Sequence, residues 1–104
     1  NVYLDQSELE RADDHFRQGH VMAQQLHDVW HMAAFANLRA TVAAAGADPL
    51  VAADWHRAAM SGWAAGGFHS YATLAATELA TALARGGRLD EAAAVLFGRR
   101  LQYI

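Results

Sequence analysis

Residues 78–96, ELATALARGGRLDEAAAVL, decide how the rest of this chain reads. Leu79 and Leu83 stand one helical turn apart and share a single stripe of a helix. Gly86-Gly87 then supplies a residue that tolerates φ > 0 and stops that helix. Leu89 is placed to clip the turn down, Asp90 to cap the next helix, and Ala92 to permit close approach. The stretch is thus the end of one helix, a tight turn, and a second helix folded back on the first. The rest of the chain looks like further copies of this hairpin.

Working outward, residues 68–85 are predicted helical, and Gly66-Gly67 closes the helix before them. That earlier helix, 49–65, opens at Asp48-Pro49 with proline at the tolerated first position. Val51, Trp55, Ala59, Gly62 and Trp63 are expected inward, with Asp54, Arg57 and Ser61 outward. A further helix runs from Asp28, its N-cap, to about Ala45, where Gly46 ends it. Phe35, Leu38, Val42 and Ala45 form one stripe of it; Val29, Ala33, Ala36 and Ala40 form another. A helix apolar over so much of its girth is normally held between neighbours. At the start, Ser7 and Glu10 have the spacing of a capping box. Behind them Leu9, Ala12, Phe16, Gly19, Ala23 and Leu26 alternate by three and four, predicting a helix over about 8–26. With a last helix from Asp90 towards Arg100, the fold class is all-α, with five helices and four short turns.

The 104 residues are enough for one domain or a piece of a larger protein. About a quarter of them are alanine, which favours helix and close packing but buries little area per residue. Stability must lean on Trp30, Trp55, Trp63, Phe16, Phe35, Phe68, Tyr71 and the leucines. Cysteine is absent, so disulfides and thiolate chemistry are excluded. The net charge of −3 and pI near 6.0 argue against a nucleic-acid surface. Residues 58–77 carry no charged side chain. Ser61, Gly62, Gly66, Gly67, His69, Ser70 and Thr73 interrupt them too often for a membrane span. No signal peptide is visible, and a cytoplasmic location is expected.

Helix pairs recurring at a fixed spacing point to a solenoid. Offset by 41, Trp30 falls on Tyr71, Leu38 on Leu79, Val42 on Leu83 and Gly46 on Gly87. Offset by 40, Ala12 falls on Ala52 and Ala52 on Ala92, with a one-residue slip assigned to the turn. Gly87-x-Leu89-x-x-Ala92, preceded by Leu79 and Leu83, resembles the core of the tetratricopeptide repeat. The longer period, with Ala59 to Trp63 followed by Leu79 to Ala93, is similar to the C-terminal helical repeats of bacterial LuxR-type and MalT-like signalling ATPases. The likeness covers about residues 7–100. It departs at Arg39, where a small packing residue is expected, and after residue 94, where no further copy follows.

The resemblance implies an α-α superhelix of antiparallel hairpins: a partial repeat over 7–27, then repeats over 28–67 and 68–104. It implies a non-enzymatic surface in a transcriptional regulator or signalling ATPase, without cofactor. Its partner would be a protein or peptide, or a small inducer; neither nucleic acid nor membrane would be contacted directly. The groove-facing positions would be Leu74, Thr77, Thr81, Ala84 and Arg85 in the last pair. Ala33, Ala36, Ala40, Ala43 and Ala44 would match them in the pair before, with Asn37 and Thr41 as a polar strip close by. A solvated face is the alternative reading of these threonines. Val2, Tyr3 and Leu4 at one end, and Leu101, Tyr103 and Ile104 at the other, suggest further repeats or a homodimer through apolar ends.

The alternative function is a small helical-bundle metal protein or enzyme using histidines. His27 and His31 lie four residues apart and would share a face on one continuous helix, as a metal site needs. The segment 26–28 reads as a helix break, however, and no HExxH pattern accompanies it. Bundled di-iron sites need several core carboxylates, and Glu78 is the only acidic candidate there. His15, His56 and His69 are scattered and expected at the surface. Asp13 and Asp14 are adjacent, so their carboxylates diverge by roughly 100° and make no catalytic pair.

Overall fold

The structure, a computed structural model, describes residues 5–101, and side chains as far as Gly98. Five helices follow one another: α1 (Gln6–Gln25), α2 (Val29–Ala45), α3 (Pro49–Ala65), α4 (His69–Arg85) and α5 (Leu89–Leu101). No strand occurs among the described residues. Each helix packs chiefly against its neighbours in sequence. The body measures 44 × 35 × 20 Å. Its short dimension is that of two helix diameters, so the helices alternate between two layers instead of closing around one centre. Within a layer, the His20 ring of α1 meets Trp55 of α3 at 6.1 Å, and Trp30 of α2 meets Tyr71 of α4 at 5.4 Å. The all-α superhelix of antiparallel hairpins expected from the turn sequences is the observed architecture.

The turns set the step. His27, Ala47, Gly67 and Gly87, spaced twenty residues apart, all have positive φ: 54°, 60°, 83° and 81°. After each one, a backbone amide bonds back into the preceding helix: Asp28 to Ala23, Asp48 to Ala43, Phe68 to Trp63 and Arg88 to Leu83, at 2.8–3.0 Å. This is the Schellman arrangement, in which one left-handed residue lets the chain satisfy the last helical carbonyls. A hairpin therefore repeats every forty residues with no slip. Gly46 is equivalent to Gly86, both C-caps, and Ala47 to Gly87. The offset of 41 is corrected. It paired glycine with glycine, whereas at the α2–α3 turn an alanine takes the left-handed conformation. Trp30 and Tyr71 are partners in edge-to-face contact, not repeat equivalents.

Aspartate side chains cap three of the helices. Asp28 and Asp48 cap α2 and α3 as expected, accepting from the amides of His31 (3.1 Å) and Val51 (3.3 Å). α1 begins earlier than the Ser7–Glu10 box predicts, because Asp5 accepts from Glu8 N at 2.8 Å and takes the cap itself. α5 begins at Leu89, so Asp90 sits inside its first turn. There it complements the positive end of the helix dipole instead of capping it. Leu89 is largely exposed and does not clip the turn.

The core is built from alanines at helix-to-helix approaches and a few large side chains. One cluster joins Ala40, Ala52, Ala53, Leu79, Leu83 and Ala92; another joins Ala33, Ala36, Ala59, Trp63, Ala72 and Ala75. Leu79 is wholly buried, which stabilises by about 2 kcal/mol. Ala33, Ala36 and Ala40 are thus core residues and not the groove positions expected of them. The displacement follows from the corrected register. Val51, expected inward, is exposed, as are Leu38 and Ala45 of the second helix's apolar stripe. Val2, Tyr3, Leu4, Tyr103 and Ile104 lie outside the described residues, and the side chain of Leu101 outside the described side chains, so the apolar ends fall there too. No helix among the described residues is long and apolar enough to cross a membrane.

Candidate functional site

Alternation between two layers leaves a groove wherever two helices of one layer lie over the helix between them. The first such groove runs between α2 and α4 over α3 and encloses about 400 Å³. Thr41 and Ala44 line one wall, Thr77, Glu78, Thr81 and Arg85 the other, and Ala52 and His56 the floor. The forty-residue step makes Asn37 equivalent to Thr77 and Thr41 to Thr81, so small polar side chains face one another across the cleft by repetition of one surface position. Of the positions expected to face a groove, Thr41, Ala44, Thr77, Thr81 and Arg85 line this one. Asn37 lies behind, half-buried and bonded to the floor. Leu74 is 55% exposed, on α4, and does not line the groove.

His56 is the central residue of the floor. It is 6% exposed, and its Nδ1 lies 2.8 Å from Asn37 Oδ1 and 3.5 Å from Glu78 Oε2. Two oxygens beside one ring nitrogen mean that Nδ1 carries the hydrogen and donates to Asn37, which leaves Nε2 as an acceptor. Burial pushes the His56 pKa down, because the imidazolium would lose its hydration. The ring is therefore neutral at pH 7, and its approach to Glu78 is a polar contact and not an ion pair. Burial pushes the Glu78 carboxyl up for the same reason. Arg85 has no hydrogen-bond or ion-pair partner among the described residues and stands at the α2–α3 turn end of the groove.

The threonines are oriented by their own helices. Thr41 Oγ1 donates to Asn37 O (3.2 Å), Thr77 Oγ1 to Thr73 O (3.2 Å) and Thr81 Oγ1 to Thr77 O (3.0 Å). A carbonyl oxygen can only accept, so each hydroxyl hydrogen is committed to the backbone. What the three side chains present outward is oxygen lone pairs.

A second groove, on the other layer, lies between α1 and α3 over α2 and encloses about 430 Å³. Both of its arginines are bonded to its carboxylates. Arg39 grips Asp13 with two parallel bonds, Nε to Oδ1 and Nη2 to Oδ2, both 2.9 Å, and its guanidinium lies 4.1 Å over the Trp55 ring. Asp14 pairs with Arg17 and Gln18. This pairing explains why an arginine stands at position 39: it clamps α1 onto α2 and α3. The divergence of the two adjacent carboxylates is as expected, each serving a different partner.

His27 occupies the left-handed turn position, while His31 is in the first turn of α2 with its Nδ1 2.7 Å from Asp28 Oδ2. The break between them removes the shared helical face on which a metal pair depended. No group of three or more metal-ligating side chains occurs among the described residues. Of the tryptophans, Trp63 is core, its Nε1 buried without a hydrogen-bond partner among the described residues. Trp30 and Tyr71 pack against it at 6.1 and 5.3 Å.

His56 was expected at the surface, and its burial is the main element of the site that sequence reasoning missed. A signal was present: Ala52, His56, Ala59 and Trp63 fall at i, i+4, i+7 and i+11, on one face of α3. Comparison of the chain with known protein families, with characterised proteins and with solved structures finds no match.

Proposed function

We propose that the chain is a non-enzymatic interaction module whose α2–α4 groove receives a peptide segment of a partner protein. The observation that carries this reading is the groove itself: an open cleft walled by equivalent polar positions of successive repeats, over a buried polar floor at His56. Its volume, about 400 Å³, accommodates a few residues of extended chain. The likeness of residues 59–63 and 79–93 to the helical repeats of bacterial signalling ATPases supports a place for the module in a regulatory protein. Both arginines of the opposite groove are already paired with its aspartates, which favours the α2–α4 face.

Selection of peptides from a random display library on the immobilised protein tests this. Backbone amide shifts of labelled protein titrated with a selected peptide should concentrate at Thr41, His56, Thr77, Glu78 and Thr81. Shifts confined to α1 or to the Trp30–Tyr71 end, or no peptide selected at all, would overturn the proposal.

A further inference from the structure

We infer that the α2–α4 groove recognises the ammonium group of a lysine side chain on its peptide partner, held by Glu78 and the threonine oxygens. The inference rests on the peptide-groove reading and adds the chemistry of the occupant.

The argument is one of complementary charge and hydrogen bonding. Thr41, Thr77 and Thr81 have spent their hydroxyl hydrogens on backbone carbonyls and offer only acceptors to the cleft. Asn37 Oδ1 accepts from His56. Beside them stands a carboxylate, 34% exposed, whose one ion-pair neighbour among the described residues is the His56 imidazole, which burial biases towards the neutral form. At the Glu78 end of the groove these acceptors and the carboxylate match a donor-rich cation, while Arg85 puts the one guanidinium of the described lining residues at the other end. An ammonium has three donors, no acceptor and a compact charge. An anionic or acceptor-only group would meet lone pairs on both walls.

Arg85 sets the direction. It lies seven residues after Glu78, on the same face and roughly 10 Å along the axis. It repels a second cation, so the ammonium sits towards Glu78 and the remainder of the peptide leaves past Arg85. His56 on α3 lies 3.5 Å from Glu78, and the uncharged Thr41 on α2 lines the facing wall; among the described residues lining the groove Arg85 is the other charge. Acidification adds a proton to Glu78 and a charge to His56. Both changes oppose a bound cation, so affinity should fall with falling pH.

The test uses n-butylammonium, a lysine side chain without its peptide, against n-butyrate and n-butanol at matched ionic strength, followed by amide shifts. Butylammonium should produce saturable shifts at Thr77, Glu78 and Thr81 and bind at least about tenfold more tightly than either comparison compound. Glu78→Gln, checked for retained helicity, should abolish that preference, and Thr81→Val should weaken it with the carboxylate intact. Equal responses to the three probes, a stronger response to butyrate, or a preference unchanged in Glu78→Gln overturns the inference.

The source of the ammonium is read separately. Selected peptides should lose at least about tenfold in affinity when lysine is replaced by norleucine. Peptides that map to the groove yet tolerate this change overturn the lysine inference and leave the peptide site standing. Butylammonium binding without any selected peptide in the groove overturns the peptide source and leaves a site for a small amine.

Discussion

Ala47 and Gly87 occupy equivalent places forty residues apart, each the left-handed residue of a helix-ending turn, at φ +60° and +81°. Only one of them is glycine. An alanine in that conformation brings its Cβ close to the following carbonyl, a strain that glycine lacks. Ala47→Gly should therefore stabilise the protein by about 1 kcal/mol, and Gly87→Ala should destabilise it by a similar amount. Thermal unfolding of the two variants checks this, with shifts of opposite sign expected. Shifts of the same sign would remove the equivalence of the two turns.

Glycines at the helix ends are not interchangeable either. A Cβ at Gly86 would fall 2.4 Å from Leu50 Cδ2, whereas at Gly46 the nearest atoms are 3.6–3.7 Å away. Gly86→Ala should cost about 1–3 kcal/mol through displacement of Leu50. Gly46→Ala, at an ordinary φ of −83°, should be neutral or mildly stabilising. Denaturant midpoints of the pair provide the comparison, and equal effects would contradict the close α3–α4 contact.

Arg39 holds α1 to the body through Asp13 and Trp55. Removing it in Arg39→Ala leaves a half-buried carboxylate unpaired and uncovers the indole face, at a cost of about 1–3 kcal/mol. The loss should be local. Hydrogen exchange should quicken in α1, while amides around Leu79 and Leu83 keep their protection in proportion to the global change. Uniform acceleration along the chain would show that α1 is not a separately held element.

Buried imidazoles make stability depend on pH with a definite sign. The folded-state pKa of His56 lies below its ordinary 6.5, so the unfolded chain binds the extra proton and stability falls as pH drops from about 6.5 towards the folded value. His20, lowered by burial and then by Arg39, acts in the same direction. Glu78 opposes them: its raised pKa means that the folded state takes up a proton first, a relative gain on acidification. His56→Gln should flatten the loss of stability between pH 7 and 5, and Glu78→Gln should steepen it. Denaturant titrations across that range read both slopes, and a slope unaltered in His56→Gln would contradict the burial argument.

Much of the architecture was legible because its determinants are local. Gly66-Gly67 and Gly86-Gly87 mark turns by themselves, and Asp28 and Asp48 cap the helices that follow them. The repeat register was not, because His27 and Ala47 adopt a conformation their side chains disfavour, held by the amide bonds of Asp28 and Asp48 into the preceding helix. Arg39 stood out as a departure, but its partner Asp13 is 26 residues away and only the fold brings them together. The threonine wall could be read from the spacing of Thr77 and Thr81. The floor was legible only in part: His56 shares the Ala52–Ala59–Trp63 face of α3, but the Asn37 that accepts its hydrogen comes from another helix.

If a peptide binds between α2 and α4, filling that space must expel it. Thr77 is exposed on the groove wall, so Thr77→Trp obstructs the cleft without entering the core. The measurement is the ratio of dissociation constants of a selected peptide for Thr77→Trp and for the unaltered protein. The account expects a ratio of about ten or more, with thermal stability little changed. A ratio near one, with the peptide still bound to a well-folded variant, would place the interaction elsewhere and contradict it.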